Sequence, residues 1–328
     1  MGDAAAPTDV RLPVTVLTGA LGAGKTTLLN HLLHQSDLKL AVIVNEFGDA
    51  GIDGALIDSG AEDLVELSSG CICCVVRADL IRTLRGLRQR VAGLDGVVIE
   101  TTGLANPAPV IQTFLADQML AAAFRIDTVV TVVDALHITT QLQHSEDAAA
   151  QVALADLLVL NKFSEVGDCA AITDILRQLN PLAPIERADR GQVRAEAIFG
   201  KALHESAPAT NAPAPSSIHD HDHHHDHITR HGITSVTVNS DQPLQMAALE
   251  SWMRALLDAQ GADILRSKGI ICCADDPRQL VLQSVHMMLE GQLTAPWPKN
   301  TPPQSRLVFI GRNLDAHKLQ AGFSACAA

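Results

Sequence analysis

A chain of 328 residues, 47 % hydrophobic and only 19 % charged, is long enough to bury a substantial core and to divide into two domains. Its formal net charge of −13 excludes a general role on nucleic acid or an anionic membrane surface, which clustered Lys and Arg would hold, and favours cations and basic partners. No apolar run reaches the ~18 residues of a membrane span, and MGDAAAPTDVRLP has no basic segment ahead of an apolar one, so the expectation is a cytoplasmic protein without signal peptide or membrane span.

The first element is LPVTVLTG, a β-branched run ending in glycine, followed by AGKTTLLNHLLH, whose leucines recur at helical spacing: strand, tight loop, helix. Further strand-like runs, LAVIVNE, GVVIET, TVVTVVDA and LLVLNK, each follow a segment long enough for a crossover helix. The pattern predicts an α/β fold with a doubly wound, mostly parallel P-loop NTPase sheet over residues 11–203. From His204 the text becomes HESAPATNAPAPSSIHDHDHHHDHITRH, which has no hydrophobic period and reads as a linker over 204–230. Beyond it GITSVTVNS, a helix around MAALESWMRALLDAQ, and the strands KGIICCA, QLVLQSVH and SRLVFIG predict a second, smaller α+β domain over 231–315. Cys272 and Cys273, in GIICCA, fit a buried strand, and Cys169 and Cys326 carry no pattern.

The strongest chemical signal is GALGAGKTT, a G-x-x-x-x-G-K-T phosphate loop. Its glycines let the backbone curl so that N–H groups point at phosphates, and the following helix adds its positive end. The candidate nucleotide-binding residues are Gly19, Gly22, Ala23, Gly24, Lys25, Thr26 and Thr27; Lys25 neutralises the β- and γ-phosphates and Thr26 offers its hydroxyl to Mg²⁺. In VVIETTG a hydrophobic strand delivers Glu100 to its carboxyl end, where it can hold the Mg²⁺ hydration shell or orient the attacking water. Lys25 and Glu100 are therefore the catalytic candidates.

Taken together, TGALGAGKTTLLN, VNEFGDAGIDGALI, GCICC, IETTGLANP and LVFIGRNLD resemble the CobW-type metallochaperone GTPases, relatives of the nickel-insertion GTPases of urease and hydrogenase maturation. The resemblance covers residues 12–181 and 231–315. It implies GTP and GDP as ligands, a C-x-C-C metal site between the phosphate loop and the ExxG motif, zinc or cobalt as the metal, and delivery to an apo-metalloprotein client. A homodimer is compatible with it.

The thiolates of Cys71, Cys73 and Cys74 are soft, anionic ligands suited to Zn²⁺ or tetrahedral Co²⁺. Cysteines this close do not readily bridge one another, and seven is an odd count in a reducing compartment, so a disulfide framework is not expected. In an extended run Cys74 points away from Cys71 and Cys73, so either a turn gathers three sulfurs or two coordinate while one stands aside. Glu46 and Asp49 are further candidate ligands, Asp49 standing where related sequences usually carry Glu. The internal run His219, His221, His223, His224, His225 and His227 suits weak multi-site capture of metal. Asn161 and Lys162 match the N-K-x-D motif that reads guanine, but Ser164 replaces the Asp and offers no anionic acceptor; Glu165 can substitute if the loop shifts by one position. The expected function is a GTP-hydrolysing metallochaperone, with a metal-buffering or metal-responsive interaction protein of little turnover as the alternative.

Overall fold

The computed structural model describes residues 9–45, 63–67, 75–88, 93–103, 106–207, 232–298 and 302–328. The first β-branched run forms β1 (Leu12–Thr18), and KTTLLNHLLHQ forms α1 (Lys25–Gln35). Alternate β1 side chains face opposite sides of the sheet. Val14 and Val16 join Ile111 and Phe114 in one apolar cluster, whereas Leu17 joins Leu28, Leu29 and Leu32 of α1 in another. A strand covered on both faces reads as a nearly continuous apolar run, and β1 does.

Six more strands complete this sheet: β2 (Leu40–Asn45), β3 (Asp63–Leu67), β4 (Gly96–Thr101), β5 (Phe124–Asp134), β6 (Leu157–Asn161) and β7 (Ile185–Arg187). Every pairing is parallel, in the order β3-β2-β4-β1-β5-β6-β7. Between them run α2 (Val75–Arg88), α3 (Ala108–Ala116), α4 (Gln118–Ala123), α5 (Ile138–His144), α6 (Glu146–Leu154) and α7 (Ala170–Leu179), with α8 (Ala195–Ile198) after β7. The doubly wound parallel sheet is thus as expected. β3 and β7 are additional to the five strands read from the sequence. Both lie at sheet edges, where one partner suffices and the short charged sequences DLVEL and IER are tolerated. β1 sits between β4 and β5, so crossovers leave it in both directions and open a crevice at the carboxyl ends.

The second sheet is antiparallel, in the order β11-β10-β9-β12-β8. Its strands are β8 (Thr234–Ser240), β9 (Ile264–Cys272), β10 (Arg278–Val285), β11 (Met288–Pro296) and β12 (Ser305–Gly311). Helices α9 (Met246–Gln260) and α10 (Ala316–Ser324) pack on it, placing Met253, Leu257 and Phe323 against Ile271, Leu307 and Phe309. This is the smaller α+β unit. Cys272 and Cys273 are buried at the end of β9, and the four described cysteines, these two with Cys169 and Cys326, are all free and buried. Among the described residues no helix is long and apolar enough to cross a membrane.

The two sheets are joined by apolar packing and by buried charge. Leu265, Val308 and Ile310 of the second sheet share a cluster with Val152, Leu176 and Leu179 of the first unit. Beside them Arg266, 1 % exposed, pairs with the Asp156 carboxylate and donates to the carbonyls of Leu154 (2.6 Å) and Ala155 (2.8 Å). Asp156 also accepts from the Val129 N–H at 2.9 Å and meets His204 Nδ1 at 2.9 Å. Lys268 donates to the carbonyls of Leu203 and His204 and stands 3.9 Å from Asp156. Burial alone would raise the Asp156 carboxyl, yet Arg266, His204 and Lys268 hold it well below the usual carboxylate range. Burial pushes Lys268 down to about 8 against the pull of Asp156.

Replacing one partner of such a cluster leaves the others as buried, uncompensated charge. Asp156→Asn is therefore expected to cost about 3–5 kcal/mol, read as a lower denaturant midpoint, while an unchanged midpoint would show that the pair is energetically idle. In the unsubstituted protein the unfolded chain keeps the Lys268 proton between pH of about 8 and 10.5 while the folded chain has lost it, so this lysine's contribution to stability rises with pH across that window.

Candidate functional site

Four strands of the first sheet end in buried polar side chains along one edge: Thr18 on β1, Glu100 and Thr101 on β4, Asp134 on β5 and Asn161 on β6. The parallel register holds them level, with Leu17 opposite Glu100 and Asp134 opposite Asn161. Thr101 Oγ1 donates to Thr18 Oγ1 at 2.8 Å, closing the seam between β1 and β4.

The phosphate loop leaves this edge between β1 and α1. Gly24, which precedes the helix, has φ 98°, and a Cβ there would lie 2.5 Å from Asn161 Nδ2, so only glycine fits. Lys25 is 8 % exposed, and its ammonium donates to the carbonyls of Gly19 (2.9 Å) and Ala20 (3.2 Å). Thr26, one residue on, donates its hydroxyl to Glu100 Oε1 at 2.9 Å, which brings the loop and the ExxG strand together as their residue types predict. Thr27 is exposed on the same turn, Ala23 is buried and Gly22 lies at the loop's outer face. Gly103, which ends ExxG, has its Cα beside Leu21, and a Cβ there would lie 2.5 Å from the Leu21 N and Cα atoms. The phosphate loop and the ExxG loop can approach this closely because Gly103 has no side chain to meet Leu21.

The second loop follows β6. Asn161 donates Nδ2 to the Ala23 carbonyl at 2.9 Å and accepts the Gly191 N–H on Oδ1 at 3.0 Å. Lys162 is left-handed at φ 59°, a conformation that strains a residue with a side chain, and it is held there by donation to Asp134 Oδ2 (2.7 Å) and to the Gly22 carbonyl (3.1 Å). Burial opposes ionisation of Asp134, but Lys162, His137 and the Leu136 N–H together keep its carboxyl below the ordinary range. Ser164 and Glu165 lie in a single 3₁₀ turn, Phe163–Glu165, and both are exposed.

The structure thus gathers Gly19, Gly22, Ala23, Gly24, Lys25, Thr26, Thr27, Glu100, Asn161 and Lys162 around one crevice. Glu46, Asp49, Cys71, Cys73 and Cys74 lie outside the described residues, as do His219, His221, His223, His224, His225 and His227. Among the described residues no group of three or more His, Cys, Asp or Glu side chains could hold a metal ion. Two participants went unread in the sequence: Asp134, which holds Lys162, and Gly191, which holds Asn161. Asp134 had a signal, since VVDA ends a strand in an acid as VVIET does. Gly191 follows the short edge strand β7 and had none.

Residues 13–187 match the family described as CobW/HypB/UreG, nucleotide-binding domain, and residues 233–327 match the Cobalamin synthesis protein cobW C-terminal domain. The chain is 33 % identical to Zinc chaperone YjiA of Escherichia coli K12 over 321 residues, covering 95 % of this chain and 98 % of that one. It is 32 % identical to Zinc chaperone CobW of Pseudomonas aeruginosa over 344 residues, covering 94 % and 89 % respectively. The crystal structure of Zn(II)-bound YjiA GTPase from Escherichia coli matches 97 % of this chain and 99 % of that one, with a TM-score of 0.76 at 28 % identity. The chain belongs to the CobW/HypB/UreG family of P-loop GTPases.

Proposed function

We propose that this GTPase is a zinc chaperone whose nucleotide state governs the loading and release of the metal at Cys71, Cys73 and Cys74. Support comes from the two zinc chaperones that it matches over nearly their whole length. The observation that carries the reading is the meeting of Thr26 and Glu100 on the sheet edge to which β3 also runs. Leu67 closes β3 opposite Asn45 of β2, which lies opposite Thr101 of β4, and the segment bearing the thiols follows Leu67 directly and ends at Val75, the start of α2. Nucleotide and thiol motifs therefore follow strands that end on the same side of one sheet, with β2 between β3 and β4.

In this reading Lys25 exchanges its loop carbonyls for the β- and γ-phosphates of GTP. Mg²⁺ fits the oxygen donors present, a hydroxyl and a carboxylate 2.9 Å apart; Thr26 would hold it and Glu100 would stand at its hydration shell. When bound, Mg²⁺ supplies charge neutralisation between the phosphates. Glu100, buried at its strand end, also orients the attacking water. Asn161 and Lys162 fix the loop that meets the base. Zn²⁺, or Co²⁺ in the same tetrahedral setting, is cargo, passed to an apo-metalloprotein client. Glu46 and Asp49 offer further oxygen ligands, and the tract His219–His227 adds weak, multi-site metal capture to the tight thiolate site.

Lys25→Ala should lower GTP hydrolysis by about 10²-fold or more with an unchanged melting curve, measured as steady-state phosphate release. Unchanged turnover in the folded variant would contradict the assigned role. The metal assignment is checked by zinc titration: Cys73→Ala with Cys74→Ala should abolish the tight site. Deletion of residues 219–227 should lower stoichiometry and leave that site intact, and its loss on deletion would make histidines part of the tight site.

A further inference from the structure

The base-reading motif is incomplete as a sequence, since Ser164 stands where N-K-x-D carries its carboxylate. Guanine presents N1–H and an exocyclic amino group on the edge that such a carboxylate reads, and a serine hydroxyl cannot accept from both. In the folded chain, however, a carboxylate is bound to the main chain of this residue. The Ser164 N–H donates to Asp189 Oδ1 at 2.8 Å. Asp189 belongs to the loop after β7, and that loop is clasped to the one after β6 by further hydrogen bonds: Ala188 N–H to Leu160 O (2.9 Å), Phe163 N–H to Ala188 O (3.3 Å) and Gly191 N–H to Asn161 Oδ1 (3.0 Å). The Arg187 guanidinium lies over the Phe163 ring, 4.5 Å from its centroid, and tightens the same contact.

We propose that Asp189 supplies, from a different strand, the guanine-reading carboxylate that position 164 lacks. The inference rests on the assignment of residues 161–165 to the base-facing loop. Three observations favour Asp189. Its Oδ1 is fixed to the main chain of the very residue that would bear the missing side chain, so one carboxylate takes the place of another. A carboxylate has about four lone-pair sites, and among the described residues Oδ1 accepts one donor while no donor meets Oδ2, so both oxygens keep capacity for a donor pair on a ligand. Asp189 is also only partly exposed, and its reach is limited by the turn that follows, where Arg190 at φ 50° and Gly191 at φ 70° reverse the chain and Gln192 N–H returns to the Asp189 carbonyl at 3.0 Å.

The rival from the sequence, Glu165, fits less well. A 3₁₀ turn has three residues per turn, so neighbouring side chains diverge by about 120° and Glu165 leaves the turn in a different direction from Ser164. Moving Glu165 into that place would break the bonds Glu165 N–H to Lys162 O (3.2 Å) and Val166 N–H to Phe163 O (3.4 Å) that hold the turn.

The test is competitive binding of GDP, XDP and ADP with Mg²⁺ to the full chain and to Asp189→Asn, Glu165→Gln and Asp189→Asn with Ser164→Asp, with melting curves for each. Xanthine carries an oxygen where guanine carries its amino group, so an amide at position 189 donates where the carboxylate accepted. Asp189→Asn should therefore lower the preference for GDP over XDP by at least tenfold. Ser164→Asp in that background should restore the preference, and Glu165→Gln should leave it unchanged. The rescue variant keeps the result interpretable if Asp189→Asn alone melts early. An Asp189→Asn protein that keeps its preference, or a Glu165→Gln protein that loses it, overturns the proposal. Failure of the unsubstituted chain to prefer GDP over ADP would instead overturn the reading of residues 161–165 as the base-facing loop.

Discussion

One buried carboxamide fixes the geometry of the nucleotide crevice. Asn161 binds the phosphate loop through Nδ2 and the loop after β7 through Oδ1, so two separate segments are referenced to a single side chain at the end of β6. Both bonds are shielded from water, where leaving either partner unmade costs about 1–3 kcal/mol. The contact also constrains its neighbours: Gly24 must lack a Cβ, and Lys162 must adopt a left-handed conformation for its ammonium to reach Asp134 and Gly22. Preorganisation of this kind places binding groups before the ligand arrives, which is how positioning contributes to phosphoryl transfer.

The second unit is tied to the same framework through Asp156, which accepts from β5 at Val129 and pairs with Arg266 of β9. The chain leaving the first unit passes this cluster on its way out: His204 contacts Asp156, its N–H donates to the Asp127 carbonyl, and its own carbonyl accepts from Lys268. On the far side Ile233 enters the apolar cluster shared by both units. The histidine tract is thus flanked on both sides by residues rooted at the junction, and β5 and β6 link that junction to Asp134 and Asn161 at the crevice.

Much of the fold and the phosphate site could be read because the signals are local. A glycine-rich turn between an apolar run and a leucine-periodic helix specifies the phosphate loop within about a dozen residues. The strands missed, β3, β7 and β11, are all at sheet edges, where one partner and one covered face permit sequences such as IER and LEGQLT that do not look like strands. Cys272 and Cys273 could be set aside as strand residues, and they are buried, Cys272 as the last residue of β9 and Cys273 directly after it. Asp189 was not legible: it is 25 positions from Ser164, and nothing but the pairing of β6 with β7 brings them together. The inter-unit charges were equally silent, because Asp156 and Arg266 are 110 positions apart and each reads alone as a surface residue.

The central claim is that nucleotide and zinc are coupled ligands of one switch. Coupling of binding free energies is reciprocal, and typical values of ~1–3 kcal/mol correspond to affinity changes of roughly 5- to 150-fold. The most direct test is the zinc affinity of the full chain, measured by competition with a chelator in the presence of a non-hydrolysable GTP analogue, of GDP and of no nucleotide. The account predicts tightest binding with the GTP analogue, a smaller effect of GDP, and an equal tightening of the analogue by zinc. Equal zinc affinity in all three states would contradict it and leave the thiolates a passive metal site.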